Sequence, residues 1–205
     1  LDYLEDFEYL CMEQTVSRIL PNLAALRALE LAGQPSEELR AKLDKQVNVA
    51  LQRIYAKQLY DGGWNWWDGQ ESDPQTTAYV LLGLAEAKAT GYDIDSDVTG
   101  SAISYLLEHM PSLDRNDAQW QYNRQAFIVY VLTRAGELPY TPANFLYENR
   151  SHLGNYGKAY LAQAFFKDDS KSTRVKTLMS DLTSAAVLSA AGAHWEETET
   201  DYWNW

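Results

Sequence analysis

Cysteine is all but missing from this chain: 205 residues contain one, Cys11. A lone thiol closes no internal disulfide. With only His109, His152 and His194 beside it, no zinc-ligand spacing is available either, so neither bond type is expected to hold the fold. Basic residues are also scarce. Seventeen Lys and Arg stand against 29 Asp and Glu, for a net charge of -12, and no basic cluster interrupts the acid, which argues against a nucleic-acid surface. No apolar run approaches the roughly 18 residues of a membrane span, and the start lacks the basic and apolar regions of a signal peptide. Nothing in the composition calls for a cofactor. The chain opens on Leu1 without a Met and closes on "DYWNW", so residues 1–205 are expected to be one domain cut from a longer, multidomain polypeptide.

What is present is helix, repeatedly. With 46% apolar residues the chain can bury one sizeable core. "EQTVSRILPNLAALRALELAG" sets Val16, Ile19, Leu20, Leu23 and Leu26 at helical spacing and stops at Gly33. A second helix is predicted after Pro35-Ser36-Glu37-Glu38, running to about Leu59 with Leu39, Leu43, Val47, Leu51 and Ile54 on one face. The aromatic turn "YDGGWNWWDG" (60–69) and Asp73-Pro74 then lead into the apolar "TAYVLLGLAEAKA", and a fourth helix follows from about Ser96 to His109. The unit recurs in "DAQWQYNRQAFIVYVLTRAGE" (117–137), "HLGNYGKAYLAQAFF" (152–166) and "GAHWEETETDYWNW" (192–205). In each unit an aromatic, Gly- or Asn-containing stretch precedes an apolar helix, and a more charged helix comes next. Self-similarity of this kind marks an array of helix pairs. Helices that are apolar all round need burial on most sides, whereas their amphipathic partners face water on one. An inner ring of apolar helices wrapped by an outer ring satisfies both, which predicts an all-α fold, an α/α toroid of helical hairpins. Because the last aromatic turn has no helix after it, the toroid is expected to be incomplete at the C-terminus, with Trp203 to Trp205 loosely packed.

The single cysteine sits in "YLCMEQTV", three positions before Gln14. In a first helical turn, positions i and i+3 share a face, which brings the Cys11 sulfur toward the Gln14 carboxamide. Helix N-termini favour thiolates, the attacking species of cysteine chemistry. Attack on the Gln14 side-chain carbonyl with loss of ammonia would close a thioester across the turn, a stored acyl electrophile. Taken alone, Cys-x-x-Gln is a weak pattern, and a buried free cysteine acting as a small apolar residue is the commoner reading of it.

"YLCMEQTVSRILPNL" resembles the thioester segment of the α2-macroglobulin and complement superfamily, whose motif is Cys-x-Glu-Gln, and most of all its bacterial members. Cys11, Glu13, Gln14, Thr15, Ser17 and Arg18 match; the family's usual Gly before the Cys is Leu10 here, and the middle residue is Met12. "DGGWNWWDGQESDPQTTAYVLLGLAEA" resembles the second inner-helix segment of the same domains. The resemblance implies an α/α-toroid thioester-containing domain (TED) of a protease-trapping inhibitor and not an enzyme. In such proteins cleavage of a bait region elsewhere exposes the thioester, and protease lysines or hydroxyls attack the Gln14 acyl carbon and release the Cys11 thiol. It further implies neighbouring macroglobulin domains that shield the bond, and a periplasmic, cell-envelope or extracellular setting. Tyr3, Phe7 and Tyr9 are candidates for part of the shield, or for simple packing.

Some complement members carry a histidine just before the third inner helix that directs the acyl group to hydroxyls; the matching interval "SLDRNDAQWQYNRQAF" has none, so lysine amines are the expected targets. Two other readings stay open. Tryptophans in "WNWW" and "YWNW", with carboxylate pairs Asp68 and Glu71 or Glu196 and Glu197, would suit a glycan-active toroid enzyme. A degenerate macroglobulin domain without the bond would serve as an interaction module. Asn149-Arg150-Ser151 is a glycosylation sequon, relevant only to secretion from a eukaryotic cell.

Overall fold

A computed structural model describes residues 11–34, 36–67, 69, 71–190 and 192–197. Tyr3, Phe7, Tyr9, Leu10, Asp68 and Trp203 to Trp205 lie outside the described residues, so the expectations of aromatic shielding and of a loose C-terminus fall there too. The chain divides into two compact units, Leu1–His109 and Met110–Trp205, where the composition suggests one core.

The first unit is two helical hairpins. Helices α1 (Met12–Leu31) and α2 (Glu37–Lys57) form one, α3 (Pro74–Ala89) and α4 (Ser96–Glu108) the other, and α1 packs against α3 as well as against α2. Val16, Ile19, Leu23 and Leu26 of α1 are buried with Leu43, Val47, Leu51 and Ile54 of α2 and with Val80, Leu81 and Leu84 of α3. Each such side chain contributes about 1.5–3 kcal/mol by leaving water. The α1–α3 contact is close because of Gly83, where a Cβ would lie 2.8 Å from Val16 Cγ1. Helix α1 also runs through exposed Pro21, which has no N–H for the ladder and would cost an isolated helix about 3 kcal/mol; packing on both neighbours offsets it.

The second unit repeats the scheme with α5 (Gln119–Ala135), α6 (Tyr140–Glu148), a 3-10 turn at Arg150–His152, α7 (Asn155–Asp168) and α8 (Thr173–Ser184). Helices α5 and α7 make the most extensive contact, and α8 packs on α7. Tyr122, Ala126, Val129, Leu146, Leu161, Phe165 and Leu178 form its core. The expected charged partner of α5 is instead the short α6, "YTPANFLYE", whose only charged residue is Glu148. Residues predicted as a closing aromatic turn include a strand: β1 (Val187–Ser189) pairs antiparallel with β2 (Gly192–His194), Val187 opposite His194.

Candidate functional site

Cys11 is the residue that starts α1 without belonging to it. Its backbone is extended (φ -67°, ψ 167°) and its carbonyl accepts the first ladder bond from Thr15 N–H at 3.1 Å, with the Thr15 hydroxyl donating to the same oxygen at 3.1 Å. The first N–H groups of a helix have no partner within it. Here the sequence supplies them: Gln14 N–H donates to Cys11 Sγ at 3.4 Å, and Gln14 Oε1 turns back to accept from Cys11 N–H at 3.3 Å. This is the reciprocal capping box, with cysteine in the place of serine and glutamine at the third helical position. It folds the Gln14 carboxamide onto the residue that carries the thiol. Cys11 and Met12 are buried, while Glu13 and Gln14 are half-buried, so the carboxamide is reached from outside more readily than the sulfur.

The aromatic turn buttresses this end. Met12 N–H donates to the Trp66 carbonyl at 3.2 Å, anchoring the next orphan donor of α1 to the 60–67 loop. That loop is fixed in turn by Trp64, fully buried with its indole N–H on the Ile54 carbonyl at 2.8 Å and its backbone N–H on Thr77 Oγ1 at 2.9 Å. Asp73 caps α3, accepting from Thr76 N–H at 2.7 Å and from the Thr76 hydroxyl at 2.8 Å. At Gly62, φ is +90° and a Cβ would lie 2.5 Å from the Ser101 carbonyl oxygen, so only glycine serves. One turn along α1 from the cap, Ser17 Oγ is 2.9 Å from Tyr79 Oη of α3. Burial, above all, and then the charge of Glu13 push the Tyr79 hydroxyl above the ordinary tyrosine range, against the opposing pull of the Ser17 bond.

The other residues singled out in the sequence are engaged elsewhere. His109 stacks on Tyr105 at 4.2 Å between ring centroids, His152 stacks on Tyr122 at 4.9 Å, and His194 lies 3.1 Å from Glu196. Glu197 accepts two backbone N–H groups at the start of α7. The Glu71 carbonyl accepts from the Asn65 carboxamide, and Asn149 Nδ2 donates to the Phe145 carbonyl at 2.9 Å. Nothing in the sequence pattern points to Tyr79 or the Trp66 carbonyl as neighbours of α1; Tyr79 lies 62 positions from its partner, beyond the reach of any periodicity.

An all-α array of helical hairpins whose first buried helix is capped by a Cys and Gln pair defines a class, that of the thioester-domain fold. The family model of the A-macroglobulin TED domain matches residues 1–114, and the chain belongs to that family. It is similar to the alpha-2-macroglobulin of Thermotoga maritima, 38% identical over 109 residues covering 53% of this chain and 7% of that protein, and to that of Escherichia coli, 28% identical over 161 residues covering 72% and 9%. In fold it is similar to native E. coli alpha-2-macroglobulin, with a TM-score of 0.69 at 24% identity over 89% of this chain and 12% of that one. Salmonella alpha-2-macroglobulin reacted with methylamine gives 0.70 at 22% over 93% and 13%. The expected all-α, α/α-toroid class holds at the level of the fold. The chain spans under a tenth of the length of the first two curated relatives it matches.

Proposed function

We propose that Cys11 and Gln14 form the internal thioester of a protease-trapping, bacterial alpha-2-macroglobulin-type inhibitor. The reciprocal cap at the start of α1 carries the reading, since it holds thiol and carboxamide on one turn before any bond exists. In the closing step Cys11 Sγ bonds to Gln14 Cδ, the C–N bond breaks, and the amide nitrogen leaves as ammonia with the thiol proton. In the capture step a lysine amine of the protease bonds to the same carbon, the C–S bond breaks, and the proton lost by the amine returns to Cys11. Each molecule acts once, so the chain is an inhibitor module and not a turnover enzyme. Glu13 completes the motif and places a carboxylate in the first turn of α1, where negative charge is favourable.

Neighbouring macroglobulin domains of a longer polypeptide would shield the bond, and a periplasmic or cell-envelope location fits the bacterial relatives. The glycan-enzyme reading draws no support from Trp64, which is buried, or from Glu196 and Glu197, which are engaged with His194 and α7. Intact mass of the native protein is the test. The expected result is a mass one ammonia below that of the sequence, with one methylamine added on treatment and a free thiol appearing at Cys11. A full-sequence mass that methylamine leaves unchanged, on protein purified rapidly and without amines, overturns the proposal and leaves the domain as an interaction module.

A further inference from the structure

Helix α7 begins without a cap of its own. Its N-cap is Gly154, which has no side chain to offer, and the donors are met instead from 42 and 41 positions away: Asn155 N–H donates to Glu197 Oε2 at 3.0 Å and Tyr156 N–H to Glu197 Oε1 at 3.1 Å. Each carboxylate oxygen takes one N–H, a planar two-point match at the positive end of a 14-residue helix. Asn155 Nδ2 adds a bond to the Glu196 carbonyl at 3.0 Å, and the Trp195 indole N–H donates to Leu182 O of α8 at 2.7 Å. Residues 195–197 thus run as a strap from the last turn of α8 to the first of α7.

Behind the carboxylate lies a group the strap does not use. Asn123 of α5 is 1% exposed; its Oδ1 accepts from Gly154 N–H at 2.9 Å, yet its Nδ2 has no hydrogen-bond partner among the described residues. Burying an amide donor without a partner forfeits its bond to water and is unfavourable. A Cβ on Gly154 would lie 2.6 Å from Glu197 Oε2 and 3.1 Å from that Asn123 Nδ2. The Gly154 backbone, at φ -65° and ψ 172°, is open to any residue, so it is the space beside it, and not its conformation, that requires glycine. Carboxylate and unused donor border one cradle.

We propose that Gly154, the Asn155 and Tyr156 N–H groups and Asn123 form a carboxylate-receiving site, with Glu197 as a resident and detachable ligand, and that the site takes an external carboxylate when the strap is withdrawn. Glu197 is itself exposed, so it can leave without opening the core. The ligand class is a carboxylate, such as an acidic side chain or a chain terminus, because two parallel N–H groups and one amide suit its planar pair of oxygens.

Amide shifts of Asn155 and Tyr156 in the 205-residue chain, titrated with acetate against sodium chloride of equal ionic strength, test this. The unsubstituted chain should not respond, since Glu197 holds the site. Glu197→Ala should lose protection at both amides by roughly five- to tenfold, the worth of a helix cap, and then show a saturable response to acetate. Gly154→Ala should lose the same protection but fail to take acetate, because its Cβ fills the cradle. Asn123→Asp keeps the acceptor for Gly154 N–H and replaces the donor; in the Glu197→Ala background it should weaken acetate about tenfold or more. Absence of a saturable response in Glu197→Ala, with α7 still helical by circular dichroism, overturns the proposal. So does an equal response in the unsubstituted chain or in Gly154→Ala.

Discussion

Sulfur accepts hydrogen bonds weakly, so a cysteine is a poor helix cap on grounds of stability alone. Serine is among the residues that cap best. Cys11→Ser is therefore expected to raise stability by about 0.5 kcal/mol while abolishing the methylamine-reactive species, two changes of opposite sign at one position. Chemical denaturation and intact mass read them separately. Gln14→Ala removes the acyl group and half of the capping box; the loss of reactivity should be complete, and combining it with Cys11→Ala should add nothing further, because both destroy one shared bond. Retention of methylamine uptake by Gln14→Ala places the acyl group on another residue. At this scale the sequence is informative because the two residues proposed to form the bond are three apart, and spacing within one turn is fixed by helix geometry. The Ser17–Tyr79 contact is not legible for the opposite reason: nothing local encodes that Tyr79 of α3 faces Ser17 of α1.

At the scale of elements, the apolar helices are readable because burial on two sides leaves a continuous apolar pattern, as in "AYVLLGLA" of α3. Helix α1 is legible despite Pro21, since the apolar spacing of Val16, Ile19, Leu23 and Leu26 continues past it. The short α6 carries too little pattern in nine residues, and the β1–β2 hairpin follows from tertiary pairing that alanine-rich "AAVLSAAGAH" does not announce. The Gly83–Val16 contact turns the α1–α3 packing into a measurable quantity. Gly83→Ala gains about 1 kcal/mol of helix propensity but inserts a methyl where Val16 already sits, at about 1–3 kcal/mol. A net destabilisation of about 1 kcal/mol is expected. Val16→Ala should relieve it, leaving the double variant more stable than the sum of the single changes by at least about 0.5 kcal/mol. Urea unfolding of the four proteins completes the cycle, and simple additivity would show that α3 can shift away from α1 at no cost.

For the whole molecule, two compact units imply two cooperative blocks of amide exchange. Leu81 and Leu161 are fully buried, one in each unit, and truncating either to alanine should cost about 2–5 kcal/mol. Leu81→Ala is expected to speed exchange first in α1 to α4, and Leu161→Ala first in α5 to α8. Equal acceleration throughout the chain from either variant would mean that the two units open as one.

For the thioester proposed above, the position of Gln14 in the cap would also decide the fate of a molecule that misfires. Water attacking a Gln14 acyl group would leave a glutamic acid in place of glutamine, at the third position of α1, where a capping box accepts Glu as readily as Gln and the positive end of the helix attracts its charge. The wasted molecule would therefore not be strained toward repair. It would rest in a better-capped helix, carry one more negative charge on a chain already at -12, and keep a lasting record of the event that isoelectric focusing can read as a molecular age.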